Sequence, residues 1–195
     1  APELRISERA RAAADKLLGA QGVAQPFAIL HPGTARAEKY WVADRWAKVA
    51  DALAREHRFA IAITSGPDAF ERAHAAEIQS AIREARPAIL LPDDLLTLAA
   101  LVERAAIVLS CDTGIVHFAA ALRRPQIALF GPTNPFHWRP RHERALVISA
   151  ARPDAPLAEF EPRMRGAPMD RISTEVVIRA TDALLAADSS SSSSS

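Results

Sequence analysis

The chain has a single cysteine, Cys111, so no disulfide can form within it and a reducing, cytoplasmic setting is expected. Charge imbalance is lacking too. The 24 basic and 23 acidic residues leave a formal charge of +1, which gives no case for nucleic acid or an anionic membrane as the main partner. No apolar run approaches the roughly 20 residues that a bilayer-spanning helix needs, and residues 1–22 carry charges and helical periodicity where a secretory leader would have an apolar centre. Metal-ligating patterns are also missing. No Cys/His cluster has ligand spacing, no Asp-x-Asp pair occurs, and the adjacent Asp93-Asp94 reads as the start of a helix. Neither a structural nor a catalytic metal is expected.

What is present is enough apolar material for one core. At 195 residues and 49% apolar composition, the chain can bury a single domain and is too short for two large ones. Apolar runs of strand length recur at 27–30, 59–63, 88–91, 107–110, 127–130 and 145–149, and segments with helical periodicity lie between most of them, at 42–56, 69–85, 95–105 and 114–122. Strands that are apolar throughout suit a parallel sheet covered on both faces, so the expected fold is α/β: one doubly wound, Rossmann-like parallel sheet. Helices at 3–18 and 174–187 stand outside the alternation, the second opened by Ser173-Thr174-Glu175. The expected organisation is an N-terminal helix and linker over 1–22, the sheet domain over 23–187, and a flexible serine tail over 188–195. Residues 152–170, rich in Pro and Arg and without periodicity, read as an irregular surface connection.

Four loops follow predicted strands and should gather at one sheet edge, where ligands bind in this architecture. They are His31-Pro32-Gly33-Thr34-Ala35-Arg36-Ala37-Glu38-Lys39, Thr64-Ser65-Gly66-Pro67-Asp68, Asp112-Thr113-Gly114 and Gly131-Pro132-Thr133-Asn134-Pro135. The third is the most informative. It joins the run 106–109 to a helix beginning at Gly114, so unpaired amides and the positive end of the helix dipole face the edge and favour a phosphate. Asp112 cannot itself favour an anion; it either caps the helix or accepts hydrogen bonds from hydroxyls of an attached sugar. An isolated Asp-Thr-Gly is equally a plain helix cap without a ligand. His117, four residues after Thr113 on an apolar helix, reads as a satisfied core residue rather than a catalytic one. Lys39 can bring an ammonium to the same edge and neutralise charge on a departing diphosphate, its bland alternative being a solvated surface residue. Trp41 and Trp46 read as packing anchors. Arg123, Arg124, Arg139, Arg141 and Arg144, with His137 and His142, form the one basic concentration, a candidate contact for an anionic acceptor or membrane as much as an ordinary solvated surface.

In order along the chain, His31-Pro32-Gly33-Thr34, Lys39-Tyr40-Trp41, Gly66-Pro67, Leu91-Pro92, Asp112-Thr113-Gly114-Ile115-Val116-His117-Phe118-Ala119-Ala120-Ala121-Leu122 and Gly131-Pro132-Thr133-Asn134-Pro135 resemble the C-terminal half of glycosyltransferase family 9, the lipopolysaccharide heptosyltransferases. The resemblance spans about 27–148. It implies a GT-B enzyme, with two Rossmann-like domains and a cleft between them, whose C-terminal domain binds the donor ADP-heptose. Carried onto this sequence, it implies Thr34 and Lys39 as diphosphate contacts. It likewise implies Asp112, Thr113, Gly114 and Ile115 as the sugar and phosphate turn, and Leu91, Pro92 and Asp93 beside the adenine. It implies a ribose-binding acid too, with Asp68 and Glu71 as the alternatives. Lys39 and Asp112 are the residues it places nearest the chemistry. An N-terminal domain would supply the acidic general base and the site for a lipid-linked saccharide acceptor, at the inner face of the inner membrane. By itself the chain should bind donor without transferring it, and the implied inverting displacement uses no metal. A non-catalytic nucleotide or sugar-phosphate module, and a piece of another GT-B enzyme such as a UDP-sugar epimerase, are the rival expectations.

Overall fold

A computed structural model describes residues 4–192, with side chains through Ala187. Six strands, β1 (Phe27–His31), β2 (Ala60–Thr64), β3 (Ala88–Leu90), β4 (Ile107–Cys111), β5 (Gln126–Phe130) and β6 (Ala145–Ser149), form one parallel sheet in the order β3-β2-β1-β4-β5-β6. That order is the Rossmann arrangement, with its topological switch point between β1 and β4.

Helices cover both faces because side chains alternate along each strand. Leu30, Ile63, Leu109 and Leu129 pack under α2 (Ala43–His57), α3 (Ala69–Ala81) and α7 (Thr174–Ser192). Phe27, Ile29, Leu90 and Val108 pack under α1 (Glu8–Ala20), α4 (Leu95–Arg104) and α5 (Ile115–Ala121). A short α6 (Pro135–Trp138) follows β5, begun by Asn134, which accepts from the Phe136 N–H at 2.9 Å, and by a proline already fixed in helical φ. Trp41 and Trp46 are fully buried and meet edge-on with ring centroids 5.2 Å apart, as anchors should.

Helix ends depart from the periodic pattern where a cap intervenes. α1 starts at Glu8, where the Ser7 hydroxyl accepts from the Ala10 N–H at 3.2 Å; residue 3, its expected start, lies outside the described residues. α3 stops at Ala81 although apolar spacing continues to residue 85. The Asp51 carboxylate draws off the N–H groups of Arg83, Glu84 and Ala85 at 3.1, 2.8 and 3.0 Å, and Pro87 cannot continue a helix. No glycine or proline follows Ala187, and the backbone of α7 runs on to Ser192; the last three serines of the expected tail lie outside the described residues.

The segment 152–170 has little regular structure but is fastened to the loop after β5. Asn134 donates to the carbonyls of Glu161 and Pro162 at 3.1 and 3.0 Å, the Arg139 guanidinium lies 4.1 Å from the Phe160 ring centre, and Gly166 packs so closely on the Pro132 backbone that a Cβ would lie 2.1 Å from its carbonyl oxygen.

Candidate functional site

The carboxyl ends of β1, β2 and β4 bring three of the four predicted loops together around the switch point. Lys39 closes a single 3₁₀ turn (Ala37–Lys39) at the end of the first loop, and its Nζ donates to Asp112 Oδ2 at 2.6 Å. Both side chains are largely enclosed, 14% and 10% exposed. This ion pair ties the loop after β1 to the loop after β4. It also overturns the expectation that Asp112 caps the following helix: Gly114 stands at the N-cap of α5 and no side chain caps it, so the amides that open α5 have no side-chain partner. The reason is competition, since a carboxylate within reach of an ammonium in a poorly solvated place binds it in preference to a neutral amide.

A cavity of about 480 Å³ opens at Thr113, next in sequence to Asp112, though neither Lys39 nor Asp112 is among its walls. Its walls include Glu71, Pro92, Asp93, Thr113, Gly114 and Ile115 from the expected donor site, and His31, Leu98 and Phe118 besides. Walls that combine apolar side chains and prolines with polar groups suit a flat base joined to a hydroxylated or phosphorylated portion. Leu91 does not join the wall; it is 39% exposed, one residue short of Pro92.

Glu71 is central to the loop geometry. Its Oε2 accepts from the Gly66 N–H at 2.9 Å, and Cβ atoms at Gly33 and Gly66 would lie 3.0 and 2.4 Å from its carboxylate, so this acid occupies room that two glycines leave. Asp68, the alternative, is occupied as the N-cap of α3, accepting from the Phe70 N–H at 2.8 Å. Thr34 and Asp68 line a second, neighbouring cavity of about 700 Å³ with Tyr40, Phe70 and His74, and Glu71 borders both. Burial, then the nearby Glu71 and Asp68 charges, raise the Tyr40 phenol above its ordinary pKa.

Some sequence expectations separate in space. His117 is exposed on the outer side of α5 rather than buried, because so short a helix covers the sheet mainly through Ile115, Val116 and Ala119. The basic concentration divides: Arg123, Arg124, His142 and Arg144 lie where β5 and β6 begin, at the sheet edge away from the cavity, whereas Arg139 packs on Phe136 and Phe160. The Gly131 loop is roofed by 166–169, since a Cβ at Gly131 would lie 2.4 Å from Met169 Sδ. Cys111, next to Asp112, is no nucleophile; burial pushes its thiol up to about 12. Among the described residues, Glu56, His57 and Asp182 alone offer ligand atoms gathered closely enough for a metal, and there His57 Nε2 and Asp182 Oδ1 already share a hydrogen bond of 2.7 Å tying α2 to α7.

The residue that sequence reading left unassigned is His31. It is 8% exposed at the last position of β1, its Nδ1 lies 2.8 Å from Thr64 Oγ1, and burial lowers its pKa to about 4, so the ring is uncharged at neutral pH. A polar residue closing an otherwise apolar strand, directly before a Pro-Gly turn, was the available signal.

Comparison with known proteins gives a consistent picture. Residues 1–166 match glycosyltransferase family 9 (heptosyltransferase). Lipopolysaccharide heptosyltransferase 3 of Escherichia coli (strain K12) is 31% identical over 176 residues, 89% of this chain and 51% of that protein. The crystal structure of a family 9 glycosyl transferase from Veillonella parvula DSM 2008 superposes with a TM-score of 0.77 at 26% identity, covering 94% of this chain and 53% of that one. An E. coli heptosyltransferase determined with ADP has the same fold, with a TM-score of 0.67 at 22% identity, over 88% of this chain and 48% of that one. The chain thus spans about half the length of these relatives. No helix among the described residues is long and apolar enough to cross a membrane.

Proposed function

The chain belongs to glycosyltransferase family 9, and from that premise we propose that it forms the donor-binding, C-terminal half of an inverting heptosyltransferase of lipopolysaccharide core synthesis. The donor is a nucleoside-diphosphate sugar of the ADP-heptose kind. The observation that carries this reading is the cavity at the β1/β4 switch point, walled by Thr113 and Gly114, by Glu71 and by Pro92, with Lys39 held on Asp112 beside it. That an E. coli relative was determined with ADP supports the choice of nucleotide.

In this reading the base lies against Pro92 and Asp93, Glu71 accepts the ribose hydroxyls, and the diphosphate meets Thr34 and the uncapped amides at Thr113, Gly114 and Ile115. Lys39 then turns from Asp112 to the phosphoryl oxygens, and Asp112, released, accepts hydroxyls of the sugar. As the glycosidic bond breaks, negative charge grows on the diphosphate, where Lys39 and the α5 amides stabilise it. The general base that deprotonates the acceptor hydroxyl, and the site for a lipid-linked saccharide, belong to the other half of the enzyme, so this chain alone binds donor without transferring it. No metal is required, and the setting is cytoplasmic, peripheral to the inner membrane. Calorimetric titration with ADP and UDP tests the assignment: ADP should bind and UDP bind more weakly. No heat with either at millimolar concentration would sink it, and a preference for UDP would favour the epimerase alternative that family membership places second. Binding without any transfer after mixing with a separately made N-terminal half, donor and acceptor would favour a non-catalytic module.

A further inference from the structure

Beneath the cavity, three polar residues stand side by side across the sheet at one register level. Thr64 on β2, His31 on β1 and Ser110 on β4 occupy the face covered by α4 and α5, with His31 and Ser110 paired in register. Buried polar groups at strand ends need partners. Ser110 Oγ is sealed and has none, whereas His31 has one, the Thr64 hydroxyl.

The account of hydroxyl hydrogens favours one direction for that partnership. Thr64 is fully buried, and its hydroxyl makes no other hydrogen bond among the described residues. If it accepted from Nδ1–H, its own hydrogen would be a second one, beside that of Ser110, left in an apolar interior without an acceptor, at a further cost in free energy. Thr64 therefore donates to Nδ1. An uncharged imidazole that accepts at Nδ1 carries its proton on Nε2. That nitrogen has no partner among the described residues and is not among the sealed polar atoms, while the ring itself lines the cavity. The Thr64 contact ties the ring to β2.

We propose that His31 is a positioning residue of the nucleotide site, a fixed uncharged donor whose Nε2–H binds a phosphoryl oxygen of the nucleoside diphosphate. This rests on the donor-site reading above and assigns it a contact that differs in kind from the ammonium of Lys39. Lys39 stands on a flexible four-carbon stem and is already paired with a carboxylate, so it supplies charge. His31 supplies direction at the floor of the site, and with no charge to be cancelled by Asp112 or Glu71 its contribution does not depend on how those carboxylates are partnered.

The test uses the whole chain, ADP and two variants that divide the imidazole. His31→Gln places an amide donor near the position of Nε2, and His31→Asn places its amide oxygen near Nδ1, keeping an acceptor for Thr64 while withdrawing the donor from the cavity. ADP affinity should stay within about three-fold for His31→Gln and fall about ten-fold for His31→Asn, as expected for losing a hydrogen bond to a charged acceptor. A purely structural role would give the reverse order, because His31→Asn preserves the Thr64 contact. Nitrogen-15 spectra of the unmutated protein give a readout independent of folding defects: Nε2 should be the protonated nitrogen without ligand, and its resonance should move on adding ADP while that of Nδ1 stays. ADP binding with an unmoved Nε2, with the proton on Nδ1, or with His31→Asn as tight as His31→Gln overturns the His31 assignment and leaves the donor site standing. Failure of the unmutated chain to bind ADP at all removes both.

Discussion

Two enclosed aspartates show how scaffold and site differ. Asp51, on α2, is held by three backbone N–H groups from the turn after α3, donors that cannot move without unfolding that turn. Asp112, at the switch point, is held by one lysine ammonium on a flexible four-carbon stem. Both carboxylates are satisfied, so burial alone does not distinguish them. The difference lies in what satisfies them: fixed amides make a joint, and a mobile cation makes a partnership that an incoming anion can rearrange.

The comparison can be broken most directly at Asp51. Asp51→Ala should lose about 3 kcal/mol of stability in urea unfolding, since it leaves three enclosed amides without acceptors, while ADP affinity in the protein still folded stays unchanged. A loss below 1 kcal/mol would mean that the turn finds other acceptors and that the contrast with Asp112 is false.

A second effect concerns pH and His31, a further enclosed ionisable group of the site. Its pKa is lowered by burial from 6.5 to about 4, so between these values the unfolded chain binds more protons than the folded one. Stability therefore falls as pH drops through this window. Linkage puts the His31 share at about 2 kcal/mol between pH 7 and pH 5, and His31→Gln should flatten the urea-midpoint profile over that range by this amount. An unchanged profile would show that the ring is more hydrated than its 8% exposure implies.

Lys39→Ala sharpens the comparison from the ligand side. It should weaken ADP binding ten-fold or more, as for a lost charge-assisted hydrogen bond, measured by calorimetry. The smallest effect belongs to Asp112→Asn. Lys39 can extend to solvent when its partner is neutralised, so stability should change by no more than ~1 kcal/mol. ADP should bind a few-fold tighter, and a nucleotide sugar should lose part of its advantage over ADP. If Asp112→Asn were as destabilising as Asp51→Ala, the ion pair would be a joint like the other.

Much of the site was legible along the chain because strands announce themselves by apolar runs and ligand loops must follow them. Lys39, Asp112, Thr113 and Gly114 come from such loops, whereas Glu71, on α3, and Pro92 were named only through the family resemblance. That Lys39 and Asp112 hold each other was not legible, for 73 positions separate them and nothing local encodes the pairing. Reading His117 as a core residue failed because helical periodicity identifies a face without saying which way it points, and α5 turns that residue outward. The end of α3 was missed for a related reason: the acceptor that unwinds its last turn, Asp51, sits on another helix.

Sequence by itself determined the strands, most of the helices, the parallel sheet and the edge where a ligand would lie, since these follow from hydrophobic periodicity and from the chemistry of turns. Tertiary structure alone decided which acid meets which base, which loop is roofed over, and that one histidine is buried at the cavity with its ring uncharged. Those outcomes depend on distances between residues remote in the chain, and such distances exist only once the sheet has closed β1 against β4.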